Sequence, residues 1–185
     1  MIRAFLCTLL LFGCGLAAAD EAVAVCHGYS CLAEAPIRYS DAQLDEIGRQ
    51  LARAVDAENE RELLAPAIGR LYGWAGEQSD IHNDRGGNYE DGHVSGKMDC
   101  IDHSTSTTRL LRLLEARGDL RWHRVREPEM RSWVLVIGIH WSAVIEEKTG
   151  DGAARFVVDS WFVDNGQPAV ILPLAEWLKG AGPDV

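Results

Sequence analysis

Beyond residue 20 the sequence contains no apolar run close to the roughly 20 residues that a bilayer-crossing helix requires, so the mature chain is expected to carry no transmembrane anchor. Positive charge is also scarce. The chain has 18 Lys+Arg against 28 Asp+Glu, a formal net charge of −10. A surface of that sign repels nucleic acid and anionic lipid, which removes both from the expected partners. There is no internal repeat, no low-complexity tract and no linker that argues for a second domain, so residues 20–185 are read as one globular domain.

The one long apolar segment is at the N-terminus. Met1-Ile2-Arg3 leads into an uncharged run through Phe5, Leu6 and Leu9 to Phe12, which ends in the small residues Ala17, Ala18 and Ala19. This is the pattern of an export signal over residues 1–19, with cleavage after Ala19. Gly13, Gly15 and the immediate Asp20-Glu21 argue against a permanent anchor. Leu11-Phe12-Gly13-Cys14 has the outline of a lipoprotein box, so acylation at Cys14 is the alternative processing. Either route implies a periplasmic or secreted protein.

Of five cysteines, Cys7 and Cys14 leave with the signal, and Cys26, Cys31 and Cys100 remain. Cys26 and Cys31 are near enough in sequence to pair in an oxidising compartment, which leaves Cys100 as a lone thiol. Its environment is legible from helix signals. Asp99 is an N-cap, Asp102 lies in the first turn and Gly118 ends the segment, so Cys100 opens a helix running from Asp99 to Arg117. Cys100, Ser104, Thr107, Leu111 and Leu114 fall on one inward stripe. Ser104 to Thr108 are poor helix formers, tolerated where small side chains let another element approach closely.

Two helices are expected before this one. Ser40-Asp41 caps the first, with Leu44, Ile47, Leu51 and Val55 on one face; Leu63, Leu64, Ile68 and Leu71 mark the second, starting near Asn59 and fading at Gly73 to Gly76. Residues 77–98 read as a long polar loop. After Leu120 the pattern turns to strands: Arg121 to Val125, Trp133 to Ile137, Ile139 to Glu147, Ala154 to Phe162 and a short one at Val170-Ile171, with a terminal helix from Pro173 to Lys179. The class is α+β, helices first and an antiparallel sheet after.

A hairpin turn at Thr149-Gly150-Asp151-Gly152 sets Ser142 opposite Asp159 and His140 opposite Trp161. These four side chains then share a sheet face, with His140 and Asp159 diagonal neighbours within reach of a hydrogen bond. A thiol at a helix N-terminus feels the positive end of the macrodipole, which favours thiolate. Cys100 as nucleophile, His140 as base and Asp159 as orienter form a complete set for covalent acyl transfer, and the Cys100 N–H can donate to an oxyanion.

With Met98-Asp99-Cys100 opening a helix, then His140-Trp141-Ser142-Ala143-Val144, then Val157-Val158-Asp159-Ser160-Trp161, the chain resembles the transglutaminase-like branch of the papain-type superfamily, notably its bacterial cysteine proteinase-like members. The resemblance covers residues 95–165. It implies a papain-like core, the roles just given to Cys100, His140 and Asp159, and no metal or organic cofactor. The expected activity is hydrolysis or exchange of an amide bond in a peptide or protein substrate, with cell-envelope peptide as one target. His103 has no counterpart in that pattern, and no residue is assigned as second oxyanion donor.

Other readings stand beside this one: a papain-like cell-wall endopeptidase, an inactive transglutaminase-like module that binds a peptide or envelope partner, and a metal site at His93, Cys100 and His103 that lacks a second ligand pair at zinc spacing. The acidic loop of Asp80, His82, Asp84, Asn88 and Asp91 departs from the EF-hand pattern. His27 and His123 have no evident partner.

Overall fold

The computed structural model describes residues 20–87, 93–132, 138–148 and 153–183. The expected export signal, the strand expected over Trp133 to Ile137 and the turn expected at residues 149–152 lie outside them.

The chain opens with a ribbon that was not expected. Strand β1 (Glu21–His27) pairs antiparallel with β2 (Ala33–Tyr39), and Val23, Val25, Ile37 and Tyr39 point into the core. Cys26 and Cys31 form a disulfide across its connection. Helix α1 (Asp41–Leu51) follows, opened by a reciprocal capping box between Ser40 and Gln43. Leu44, Ile47 and Leu51 are buried as expected, whereas Val55 lies beyond the helix end and is exposed.

Helix α2 (Ala57–Gln78) continues through Gly73 and Gly76, where the sequence suggested fading. Packing explains the continuation. The turn at residues 165–167 lies against that face, and a Cβ on Gly69 would sit 2.5 Å from the Gln167 carbonyl oxygen. The glycines are there for close approach, not to end the helix. The stretch read as loop contains a short 3₁₀ turn (Asp80–Asn83).

Helix α3 (Cys100–Ala116) has the expected cap at Asp99, with Arg117 and Gly118 closing it. Its polar centre is explained by neighbours. Ser106 Oγ accepts the Cys26 N–H at 2.8 Å, so small side chains do allow the ribbon to lie close.

The sheet is antiparallel, in the order β3 (His123–Arg131), β4 (His140–Glu147), β5 (Arg155–Asp159), β6 (Val170–Pro173). Strand β3 is longer than expected and carries a bulge between Arg126 and Glu129. Between β4 and β5 the register is the expected one, Ala143 opposite Val158 and Val144 opposite Val157. Ala143, Ile145 and Val158 join the main core with the helices. Val144 and Val157, on the other face, pack with Leu174 and Trp177 of the short helix α4 (Leu174–Trp177). The fold is α+β.

Candidate active site

Cys100 is the first residue of α3 and is half-buried. Its helix is held from outside by an unusual cap. Asp99 accepts the N–H of Ile101 and of Asp102, and Asp102 accepts that of Asp99 at 3.1 Å. The disulfide loop completes the arrangement: Asp102 also accepts N–H groups from Tyr29 (2.8 Å) and Cys31 (2.6 Å), and Asp99 accepts that of Ser30 (2.9 Å). Gly28, Tyr29, Ser30 and Cys31 all have positive φ, which turns successive N–H groups toward these carboxylates. Such a backbone is costly for residues other than glycine and persists when its surroundings hold it. Burial pushes the Asp102 carboxyl up, and the neighbouring Asp99 charge adds to this against the lowering effect of the N–H donors.

The Cys100 thiol donates toward the Ile139 carbonyl at 3.9 Å. Its pKa lies above the ordinary value, opposite to the expectation from the helix terminus. Burial is the largest cause; the Trp141 N–H lowers it, but the carboxylates of Asp99 and Asp159 raise it further.

His140, buried at the start of β4, bonds through Nε2 to Asp159 Oδ2 at 2.7 Å. The carboxylate can only accept, so Nε2 carries a proton, and it is Nδ1 that holds the lone pair whenever the ring is neutral. That Nδ1 is buried and has no hydrogen-bond partner among the described residues. Asp159 is further held by the Trp161 N–H on Oδ1 (3.3 Å) and the Trp177 indole N–H on Oδ2 (3.0 Å). Three aromatic rings surround the imidazole: Trp161, Phe162 and Trp177, with centroids 4.8, 5.3 and 5.6 Å away. Thus His140 and Asp159 meet as their shared face predicts. Cys100 lies at the same end of β4, with its sulfur against the backbone on either side of His140 and no hydrogen bond to the ring. Beside it is a recess of about 430 Å³ lined by Ile101, Ser104, Thr105, Glu127, Pro128 and Trp141.

His103 has a protein group on each of its ring nitrogens. It is buried, with Nε2 on Asp84 Oδ2 (3.0 Å) and Nδ1 on Ser160 Oγ (2.8 Å). Ser160 continues to Thr107 Oγ1 (2.9 Å), and Thr107 to the Tyr72 hydroxyl (2.9 Å), whose pKa burial pushes up to about 12. Asp84 also accepts the Met98 N–H at 3.0 Å. This network ties the segment before Cys100 to the residue after Asp159. His103 stands out in the sequence, but its partners do not, because they come from three other segments. His123 has a partner too: its Nδ1 lies 2.8 Å from Glu60 Oε2, and Arg61 lies 3.1 Å from its Nε2.

Among the described residues, one group of three side chains has metal-ligand spacing, Cys26, Cys31 and Glu34, and its two sulfurs are joined in the disulfide. The described residues therefore do not offer an evident metal centre. Comparison with known protein families, curated proteins and solved structures gives no match.

Proposed function

We propose that the protein is an exported cysteine-nucleophile amide hydrolase or acyl-transferase in which Cys100 attacks, His140 moves the proton and Asp159 orients the ring. One observation carries this reading: the buried imidazole is fixed by Asp159 so that its basic Nδ1 is left without a partner among the described residues, at the strand end where the thiol lies. A buried nitrogen without a hydrogen bond costs about 1–3 kcal/mol, a cost expected at a site whose partner arrives during the reaction. The Cys, His, Asp order and the α+β class agree with a transglutaminase-like, papain-like core. The Cys26–Cys31 bridge supports a place outside the cytoplasm.

The chemistry follows from the raised thiol. Burial and the Asp99 and Asp159 charges favour the thiol over the thiolate, so proton transfer from Cys100 to His140 Nδ1 accompanies attack on the substrate carbonyl. The imidazolium, stabilised by Asp159, then gives that proton to the departing amine as the C–N bond breaks and a thioester remains. Water, or a second amine, attacks the thioester with His140 again as base, releasing the acyl product and restoring the thiol. The Cys100 N–H, at the first helical position and without an intrahelical acceptor, faces the oxyanion.

The rival reading, a non-catalytic module that binds peptide or an envelope partner, draws on the same upward shift of the thiol. Amide turnover against a library of envelope-derived and protein-derived peptides decides. Wild type should release product, and Cys100→Ala and His140→Ala should not. Identical behaviour of all three proteins would overturn the enzyme reading.

A further inference from the structure

We propose that Trp177 is a positioning residue of this site and that Arg131 pins it in place; the proposal rests on reading His140 and Asp159 as base and orienter. Trp177 belongs to a four-residue helix that could not stand by itself in water. It is fully buried, and a buried indole N–H needs an acceptor. The acceptor it finds is Asp159 Oδ2, at 3.0 Å, the same oxygen that accepts the His140 Nε2–H at 2.7 Å. Two donors fill the two lone pairs of that oxygen, which fixes the carboxylate plane and hence the ring it orients.

Arg131 lies opposite His140 in the β3–β4 ladder. Its Nη1 donates to the carbonyls of Trp177 (2.6 Å) and Ala181 (2.8 Å), and its guanidinium carbon lies 4.6 Å from the Trp177 ring centroid. A single side chain thus gives the Trp177 carbonyl a second donor beside the Gly180 N–H (2.9 Å), ties the end of α4 to β3 and packs on the tryptophan that lies against the imidazole.

The indole donor has an electrostatic effect that mere filling of space lacks. It stabilises the ionised carboxylate in an aromatic enclosure and draws on the electron density that would otherwise go to the imidazolium. The titratable and charged groups that reach this pair are Cys100 on α3, which feels the Asp159 charge, and Arg131 on β3, which lies opposite His140, while Glu176 on α4 is exposed and Glu146 lies at the far end of β4. Loss of the indole N–H alone therefore strengthens the Asp159–His140 interaction and raises the imidazolium midpoint.

The test is NMR titration of the His140 ring in the intact protein, in wild type and in Trp177→Phe, which keeps an aromatic ring and removes the donor. The midpoint should rise by about one pH unit, the scale of one hydrogen bond to a charged group. Turnover at pH values below that midpoint should fall about tenfold through kcat, with KM little changed. Arg131→Lys should shift the midpoint the same way by less. An unchanged midpoint in a folded Trp177→Phe overturns the proposal whatever the turnover. Should that variant fail to fold, the wild-type indole N–H resonance replaces it: its shift must follow the His140 titration with the same midpoint, and a pH-independent resonance overturns the proposal. If the midpoint moves but wild type turns over no amide, the enzyme reading fails and the positioning of the pair stands.

Discussion

Asp99 and Cys100 are consecutive residues with opposed effects: the Asp99 carboxylate caps the helix that Cys100 begins, and its charge raises the Cys100 thiol. Asp99→Asn keeps a good capping residue and removes the charge. The midpoint of iodoacetamide labelling at Cys100 should fall, and labelling at pH 8 should accelerate. Asp159→Asn also removes a charge that raises the thiol, so it should label faster as well, while turnover falls by about 10³-fold or more because the ring loses its orienter. Slower labelling in both variants contradicts this electrostatic account.

A second prediction concerns acid stability. Glu60 is completely buried, accepts backbone N–H groups from Arg121, Trp122 and His123, and bonds the His123 ring. Burial alone would raise its carboxyl, but the His123 bond and the N–H donors outweigh it, and its pKa lies below the usual value. Because the folded value is depressed, the carboxylate's contribution is complete above the unfolded carboxyl pKa of about 4.3. It is lost as pH falls through the lower folded value. Urea unfolding followed from pH 7 to pH 3 should show a drop in stability that Glu60→Gln lacks. Glu60→Ala should cost about 3 kcal/mol at pH 7, since it strands His123 and three N–H groups.

The parts of this architecture that were legible in the sequence are those set by local rules. A hairpin turn of given length fixes which side chains face each other, so His140, Ser142 and Asp159 could be placed on one face, and Asp99 could be read as a cap because capping spans only three residues. The ribbon β1–β2 was not legible, because its alternation at Val23, Val25, Ile37 and Tyr39 is short, is interrupted by Pro36 and has no hairpin signature between the strands. The direction of the Cys100 shift was hidden for a different reason. A helix terminus is a local property, whereas burial and the approach of Asp159 come from tertiary packing. Trp177 and Glu60 likewise owe their roles to partners distant in sequence.

The network from Asp84 to Tyr72 gives a third prediction. His103→Ala leaves the Asp84 carboxylate buried without its side-chain partner and should destabilise by about 3 kcal/mol. Ser160→Ala removes a neutral hydroxyl between His103 and Thr107 and should cost about 1 kcal/mol. Chemical denaturation measures both, and equal losses would mean that stranding the buried charge costs no more than losing a neutral hydrogen bond.

Removal of the disulfide gives a fourth. Cys26→Ser with Cys31→Ser should cost about 2 kcal/mol and loosen the loop that donates to Asp99 and Asp102. Hydrogen exchange should then quicken at the amides of Tyr29, Ser30 and Cys31 and in the first turn of α3, with later turns unaffected. Uniform quickening along α3 would count against a local clamp.

Strand β3 forms an outer margin of the described sheet, where its bulge, Pro128 and the charges of Arg124, Arg126, Glu127 and Glu129 fall together. Proline offers no backbone donor, the bulge breaks the spacing of its neighbours, and charged side chains resist stacking against another chain. Among the described residues, this margin therefore offers an extended peptide no continuous backbone template.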